Sequence, residues 1–448
     1  MPISAIEMAD ACRQNLITLT SRGWPRPAAR LDPEEEIAMR WKHGAWMFGG
    51  LVLTVSLHAS ARDATLQPTT LRGFGTVGAL YHGHDDLEYR SQIGQARGAN
   101  ADEIDFETDT VAGIQLNGAW RRDVDGAIQL LTRRTAEDRW QIELHRAFVR
   151  YQVSPSLALR AGRIGWDIYP RADSRYIGYS RLGIRPAPET YGIIPTDAVD
   201  GAEALYTWPL GQALLHIKAY GGRGNAKTVN ANGRVNNLDG SSIWGGHLEY
   251  VRGPWTMRVG NGVFLVDSIE NPTGLIEALR QSGSAEAQSL ADTFSENQRR
   301  VTFFAAGLAY DEGPVQARAF VGHTEGKGYS TPQVTTVQLI GGYDLGRITP
   351  YASAALMTSH VDVKGTGLTD TPENAEINAS AEMIQAFNQY NQHSLTMGLR
   401  YNWRPGVALK AQVDHTWLRD SALVFENDRP QTGNDELTLF GLALDFIF

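Results

Sequence analysis

The hydrophobic positions of this chain alternate with polar ones over long stretches, most plainly at its end. Over residues 437–448, Phe440, Leu442, Leu444, Phe446 and Phe448 occupy every second position. Successive side chains of a strand point to opposite faces, so these five share one apolar surface. The other surface carries Leu439, Gly441, Ala443, Asp445 and Ile447, a mixed set suited to a crowded wall beside water. An edge strand of a soluble sandwich would alternate in the same way, so the rest of the chain has to separate the two.

The unit recurs as hairpins. In 395–403, Leu395, Met397, Leu399, Tyr401 and Trp403 form one face, and Thr396, Gly398, Arg400 and Asn402 the other. After Arg404-Pro405-Gly406, the residues Val407, Leu409, Ala411, Val413, His415 and Trp417 alternate with Ala408, Lys410, Gln412, Asp414 and Thr416. Arms of about ten residues suit a tilted strand crossing a bilayer, and aromatics at the arm ends suit interfacial girdles. Similar hairpins turn at Arg252-Gly253-Pro254, Asp311-Glu312-Gly313-Pro314 and Ser154-Pro155-Ser156, with further turns near 123–126, 208–212 and 345–347.

The pattern predicts sixteen strands, at about 71–81, 106–120, 126–134, 141–153, 156–164, 200–207, 212–221, 242–251, 254–266, 300–310, 314–323, 334–344, 348–358, 393–403, 406–418 and 436–448. Longer segments join the hairpins at about 82–105, 135–140, 165–199, 222–241, 267–299, 324–333, 359–392 and 419–435. Two stretches, 274–294 and 374–390, have helical composition and read as short surface helices. An even strand count with both ends on the short-turn side is the pattern of a bacterial barrel. A propeller would instead repeat every ~40 residues with a blade signature, which this chain lacks. The expected fold class is all-β: a transmembrane antiparallel β-barrel with short periplasmic turns, long external loops and an inward-folded third loop.

The other end carries an export signal. Arg40, Lys42 and His43 precede an apolar run over 45–57, followed by Ala59-Ser60-Ala61. This is the layout of a secretory signal peptide, and the run is too short to span a bilayer as a helix, which takes about twenty residues. Met39 reads as the initiator, residues 1–38 as an upstream extension, 39–61 as the signal peptide and 62–448 as the barrel domain. The single cysteine, Cys12, falls in the extension, so the exported part has no disulfide or thiol chemistry. A mean hydropathy of −0.29 fits a barrel, whose strands dilute their lipid face with lumen residues. A net charge of −9 argues against nucleic acid as a partner.

The third loop, 165–199, is densely charged. It holds Asp167, Asp173, Glu189 and Asp197 beside Arg171, Arg175, Arg181 and Arg185, with Tyr169, Tyr176, Tyr179 and Tyr191. Pro170, Pro186, Pro188 and Pro195 stiffen it by fixing φ. Such a loop suits folding inward to narrow a water-filled bore.

On these residues the chain resembles the sixteen-stranded trimeric porins of Gram-negative bacteria. The fragments that carry the resemblance are Arg72-Gly73-Phe74-Gly75 on the first strand, Leu159-Arg160-Ala161-Gly162-Arg163 before the third loop, Asp200-Gly201 after it, and the terminal Phe448. Their order and spacing cover essentially all of 62–448. The resemblance implies an outer-membrane location in contact with lipid, passive diffusion of small hydrophilic solutes, the third loop as the constriction and a homotrimer. Pro188-Glu189-Thr190-Tyr191-Gly192 is similar to the family's constriction-tip pattern in its Pro, Glu and Gly alone. Loop 135–140 is much shorter than the latch by which family members reach a neighbour, which bears on the trimer contact and not on the barrel.

By parity, Arg133, Arg146, Arg150 and Arg160 face the lumen just before this loop, and Lys218, Arg258, Arg318, Arg400 and Lys410 extend the basic wall against Asp414 and Asp445. Fixed cations in a narrow aqueous bore raise the local anion concentration, which predicts anion preference. Loop acids facing those cations would instead set up a transverse field that sorts dipolar solutes, and arginines each paired with a carboxylate would merely stiffen the wall. His145 and His415 lie on the apolar parity and read as barrel-surface residues. His82-Gly83-His84-Asp85-Asp86 has metal-ligand types without a second cluster and reads as a solvated loop. No nucleophile elbow, zinc spacing or phosphate-cradling glycine motif is present, so neither an enzyme nor a cofactor is expected. The competing reading is a structural or adhesive barrel with a plugged lumen and partner-binding loops.

Overall fold

The computed structural model describes residues 69–229, 235–267, 272–295, 300–326 and 333–448. The expectations for 1–38, for 39–61 and for a mature start near Arg62 lie outside the described residues.

Sixteen long strands, each antiparallel to the next, form the wall. They are β1 Thr70–Tyr81, β2 Val111–Arg121, β3 Val124–Arg134, β4 Trp140–Ser154, β5 Leu157–Gly165, β6 Ala198–Leu210, β7 Ala213–Gly224 and β8 Ser241–Arg252. The second half comprises β9 Trp255–Leu265, β10 Arg300–Glu312, β11 Val315–Glu325, β12 Val334–Tyr343, β13 Ile348–Ser359, β14 Tyr390–Arg404, β15 Val407–Glu426 and β16 Arg429–Ile447. β1 pairs with β2 on one side and with β16 on the other, so the sheet closes and no edge is left. At the seam, Gly73 and Phe448 exchange two backbone hydrogen bonds of 2.9 Å. The Phe448 and Phe446 rings lie over Gly73 and Gly75, where any Cβ would meet them within 2.5 Å, so the glycines make room for the terminal aromatics.

The outer face suits a bilayer. Ile142, Met397 and Leu442 are among its most exposed side chains. Trp120, Tyr151, Trp208, Trp255, Tyr343 and Trp403 ring the short-turn end, and Tyr81, Trp244, Phe304 and Phe440 ring the long-loop end. Two aromatic belts with an aliphatic band between them are what interfacial partitioning requires.

Most strand ends fall within three residues of the sequence expectation; three particulars are corrected. Residues 106–110 are loop, not the start of β2, because the Asp105 carboxylate accepts from the N–H groups of Glu107 and Thr108 and turns the chain before Val111. The expected loop 419–435 is instead hairpin: β15 and β16 run past the wall and meet at Asn427 and Asp428, whose φ values of 49° and 64° suit a tight two-residue turn. Register shifts between Arg419, Ser421 and Phe425 break the alternation there, which hides the strand from a period-two reading.

The third correction is His145. Arg146 pairs with Gln129 and Leu144 pairs with Leu130, leaving His145 as an extra residue in β4. The bulge flips the parity, so Leu144 and Val149 both face outward while His145 and Arg146 both turn inward and are buried. His145 meets the Tyr176 ring of the third loop edge-on at 5.5 Å, not lipid.

The helical stretches pack on one another. α1 Thr273–Gln281 and α2 Ala285–Ser295, from the loop after β9, share a small core with α3 Pro372–Ala386, from the loop after β13. Ile276, Leu279, Leu290, Phe294 and Ala381 fill it, so the two loops form a single helical cap at the long-loop end.

Candidate functional site

The third loop, 166–197, folds into the barrel and touches inward side chains around most of its circumference. Ile168 lies against Gly262 of β9, Pro170 against Gly307 of β10, and Leu182 against Gly342 of β12. Gly178 sits on Asp445 and Thr76 at the β16–β1 seam, where a Cβ would stand 2.1 Å from the carboxylate, so only glycine allows this approach. On the opposite side, Trp166, Ile168 and Tyr169 join Tyr220, Phe264, Phe303 and Phe320 of the wall in one apolar cluster. A one-turn helix, Pro188–Tyr191, closes the returning limb.

Each expected site residue can be followed. At the loop's two ends, Asp167 accepts from Lys218 at 3.1 Å and pairs with Arg258 at 3.0 Å, while Asp197 pairs with Arg175 and with Arg133 at 3.2 Å. Burial opposes ionisation of Asp167, but Lys218, Arg258 and His247 outweigh it and hold its carboxyl well below the usual range. Arg185 forms two bonds to Asp109 and one of 2.5 Å to Asp414. Glu189 accepts from Gln392 at 2.8 Å, and burial pushes its carboxyl up. Asp173 is exposed, and its backbone carbonyl accepts from Arg146. Of the wall residues, Arg150 is bidentate to Asp125, Arg160 pairs with Glu203 at 2.6 Å, and Arg133 also lies 3.5 Å from Glu143.

A second pattern was not legible in the sequence. The basic wall residues grip the loop by its backbone carbonyls. Lys410 donates to Gly178 and Gly183, Arg400 to Tyr179 and Arg181, Arg258 to Asp167, and Arg146 to Asp173 and Asp197. Arg171 donates to Ser180 and Arg181 to Ile184, so six carbonyls between residues 178 and 184 are held by cations. Their positions in the wall were readable from parity; their loop partners were not, because parity says nothing about a carbonyl on a folded loop. Asp109, Gly178 and Gln392 carried no signal at all, and Gln412 only the parity that put it on the polar face of its strand. Arg146, Arg171, Arg181, Arg318 and Arg400 have no carboxylate in ion-pair reach among the described residues. The remaining wall cations do, so the wall holds both arginines paired with carboxylates and this subset that is not.

No protein-family model and no curated protein matches the sequence. Among solved structures, the chain is similar to OmpF of Salmonella typhi in complex with daunomycin, at 13% identity and a TM-score of 0.50 over 85% of this chain and 97% of that one. It is also similar to the outer membrane channel DcaP of Acinetobacter baumannii, at 13% identity and a TM-score of 0.50 over 88% of this chain and 100% of that one. Likeness at such identity speaks to architecture, and with the closed wall and its girdles it establishes that this chain has the porin-like fold of a sixteen-stranded outer-membrane β-barrel.

Proposed function

We propose that the protein is an outer-membrane diffusion channel for small hydrophilic solutes, constricted by loop 165–199, anion-preferring, assembled as a homotrimer and without catalytic chemistry. The observation that carries this reading is the inward loop itself, held against the wall by cations at residues 178–184. Anchoring consumes carboxylates unevenly. Arg146, Arg171, Arg181, Arg318 and Arg400 meet carbonyls, an amide or no hydrogen-bond acceptor among the described residues, so their charge acts on whatever enters the bore. Anions are then favoured, and the exposed Asp173 is the loop's main counterweight.

A second reading is favoured by the breadth of the loop's contacts, which reach β1, β9, β10, β12, β15 and β16: a barrel whose bore is closed, working through its external cap and loops. Single-channel recording under a salt gradient separates the two. Discrete steps with a reversal potential of anion sign support the channel; cation sign overturns the selectivity; silence from a correctly folded barrel overturns diffusion and leaves the closed barrel standing.

A further inference from the structure

Between the loop's one-turn helix and the wall of β12–β15 lies a cavity of about 30 Å³. It is lined by Glu189 and by neutral polar side chains, among them Gln338, Ser353, Ser394 and Thr396. A water needs roughly 10–15 Å³ on this measure, so there is room for about two water-sized occupants. Glu189 is 1% exposed; its Oε1 accepts from Gln392, and its Oε2 has no hydrogen-bond partner. A buried carboxylate oxygen left unpaired costs more than the bond it lacks, so it calls for an occupant.

The surrounding charges define that occupant. Asp414 of β15 and Tyr89 of the first loop face Glu189, and Arg185 of its own loop lines the same cavity. Arg185 is already shared between Asp109, which lies outside the cavity, and Asp414, so at the cavity one guanidinium stands against two carboxylates, Asp414 and Glu189. Both oxygens of Asp414 are engaged, by Arg185, Thr396 and Gln412. What remains is one free carboxylate oxygen among amide and hydroxyl oxygens. Calcium gathers several carboxylates within a shell of about 6–8 oxygens, more negative charge than is left over here.

We propose that this cavity binds a small monovalent cation of sodium type, with the Glu189 carboxylate as its charged ligand, and that the ion latches the loop's helix to the wall. The bound ion would balance the charge and occupy the orphan oxygen at once. Removing it would leave either a protonated Glu189 or an unpaired charge under the loop.

The test is the thermal unfolding midpoint of the full, detergent-folded protein as sodium chloride replaces choline chloride at constant ionic strength, which needs no open channel. The expected result at about pH 8 is a saturable rise in midpoint. It should shrink at about pH 5, where protons compete, vanish in Glu189→Gln and need more sodium in Ser394→Ala. An equal rise in Glu189→Gln, or no rise in the parent protein, overturns the proposal. A response to pH alone would make the proton the occupant and overturn it too.

Discussion

At the scale of single residues, the basic side chains of the bore fall into two jobs. Lys410 is fully buried, as is Asp445, and its ammonium meets Asp445 at 2.7 Å and the carbonyls of Gly178 and Gly183 at 2.9 and 2.8 Å. All three donors are used, which offsets the several kcal/mol that burying such a charge costs. Lys410→Met should destabilise the protein by about 3–5 kcal/mol, because Asp445 is left buried and unpaired. The double variant Lys410→Met with Asp445→Leu should recover part of the loss, and denaturant midpoints of the three proteins check both statements. Asp167 is the acid-sensitive counterpart. Its carboxyl is held below the ordinary value in the folded loop, so its contribution to stability is full above the unfolded pKa of about 3.9 and is lost as pH falls through the folded value. The melting temperature should therefore drop steeply below about pH 4, and less steeply in Asp167→Asn.

At the scale of elements, the bulge in β4 decides what the strand presents. With His145 as an extra residue, Ile142 and Leu144 face lipid on one side of it and Val149, Tyr151 and Val153 on the other. Deleting His145 would remove the bulge and join the two halves in one regular alternation that keeps Ile142, Leu144, Val149, Tyr151 and Val153 all outward. The single deletion and His145→Ala should both keep the heat-modifiable folded band on a gel, whereas deleting His145 and Arg146 together, which exchanges the faces of one half, should abolish it, because the faces are set by residue count and not by the side chain. The β15–β16 hairpin is the other case. Its outer part pairs with residues 87–89 of the first loop, so the long strands carry that loop as well as the wall. The cap of α1 to α3 has its own apolar core, which a reading of each stretch as an isolated surface helix did not anticipate.

At the scale of the whole molecule, selectivity is a sum over the charges that anchoring leaves over. Arg318 has no hydrogen bond or ion pair among the described residues and lies close enough to Arg171 to feel its charge. Arg318→Glu should move the reversal potential towards cations without loss of the folded barrel. The paired replacement Arg150→Gln with Asp125→Asn should barely move it, because those two charges already cancel. Bilayer recordings of the two variants side by side read this out. Assembly belongs to the same scale: loop 135–140 is short, so a homotrimer would be held by barrel-wall contacts, and chemical crosslinking in mild detergent should yield a three-subunit limit.

The sequence by itself determined the wall. Period-two alternation and turn chemistry placed sixteen strands, the long third loop and the seam at Phe448, because lipid on one side and water on the other impose the same demand on each strand. It placed Arg150, Arg160, Lys218, Arg258, Arg318, Arg400 and Lys410 on the inner side for the same reason. Only the tertiary structure decided what those cations meet. Arg160 could have been a free charge as readily as Lys410, and the difference is that a loop with no periodicity laid Gly178 and Gly183 over one and Glu203 of β6 beside the other. Where alternation is broken, as at His145 and at Arg419–Phe425, the pattern misleads, since a single inserted residue exchanges the two faces. The cavity at Glu189 lies further still beyond sequence: it exists because a helix of four residues stops just short of four neighbouring strands, and no local rule sets that gap.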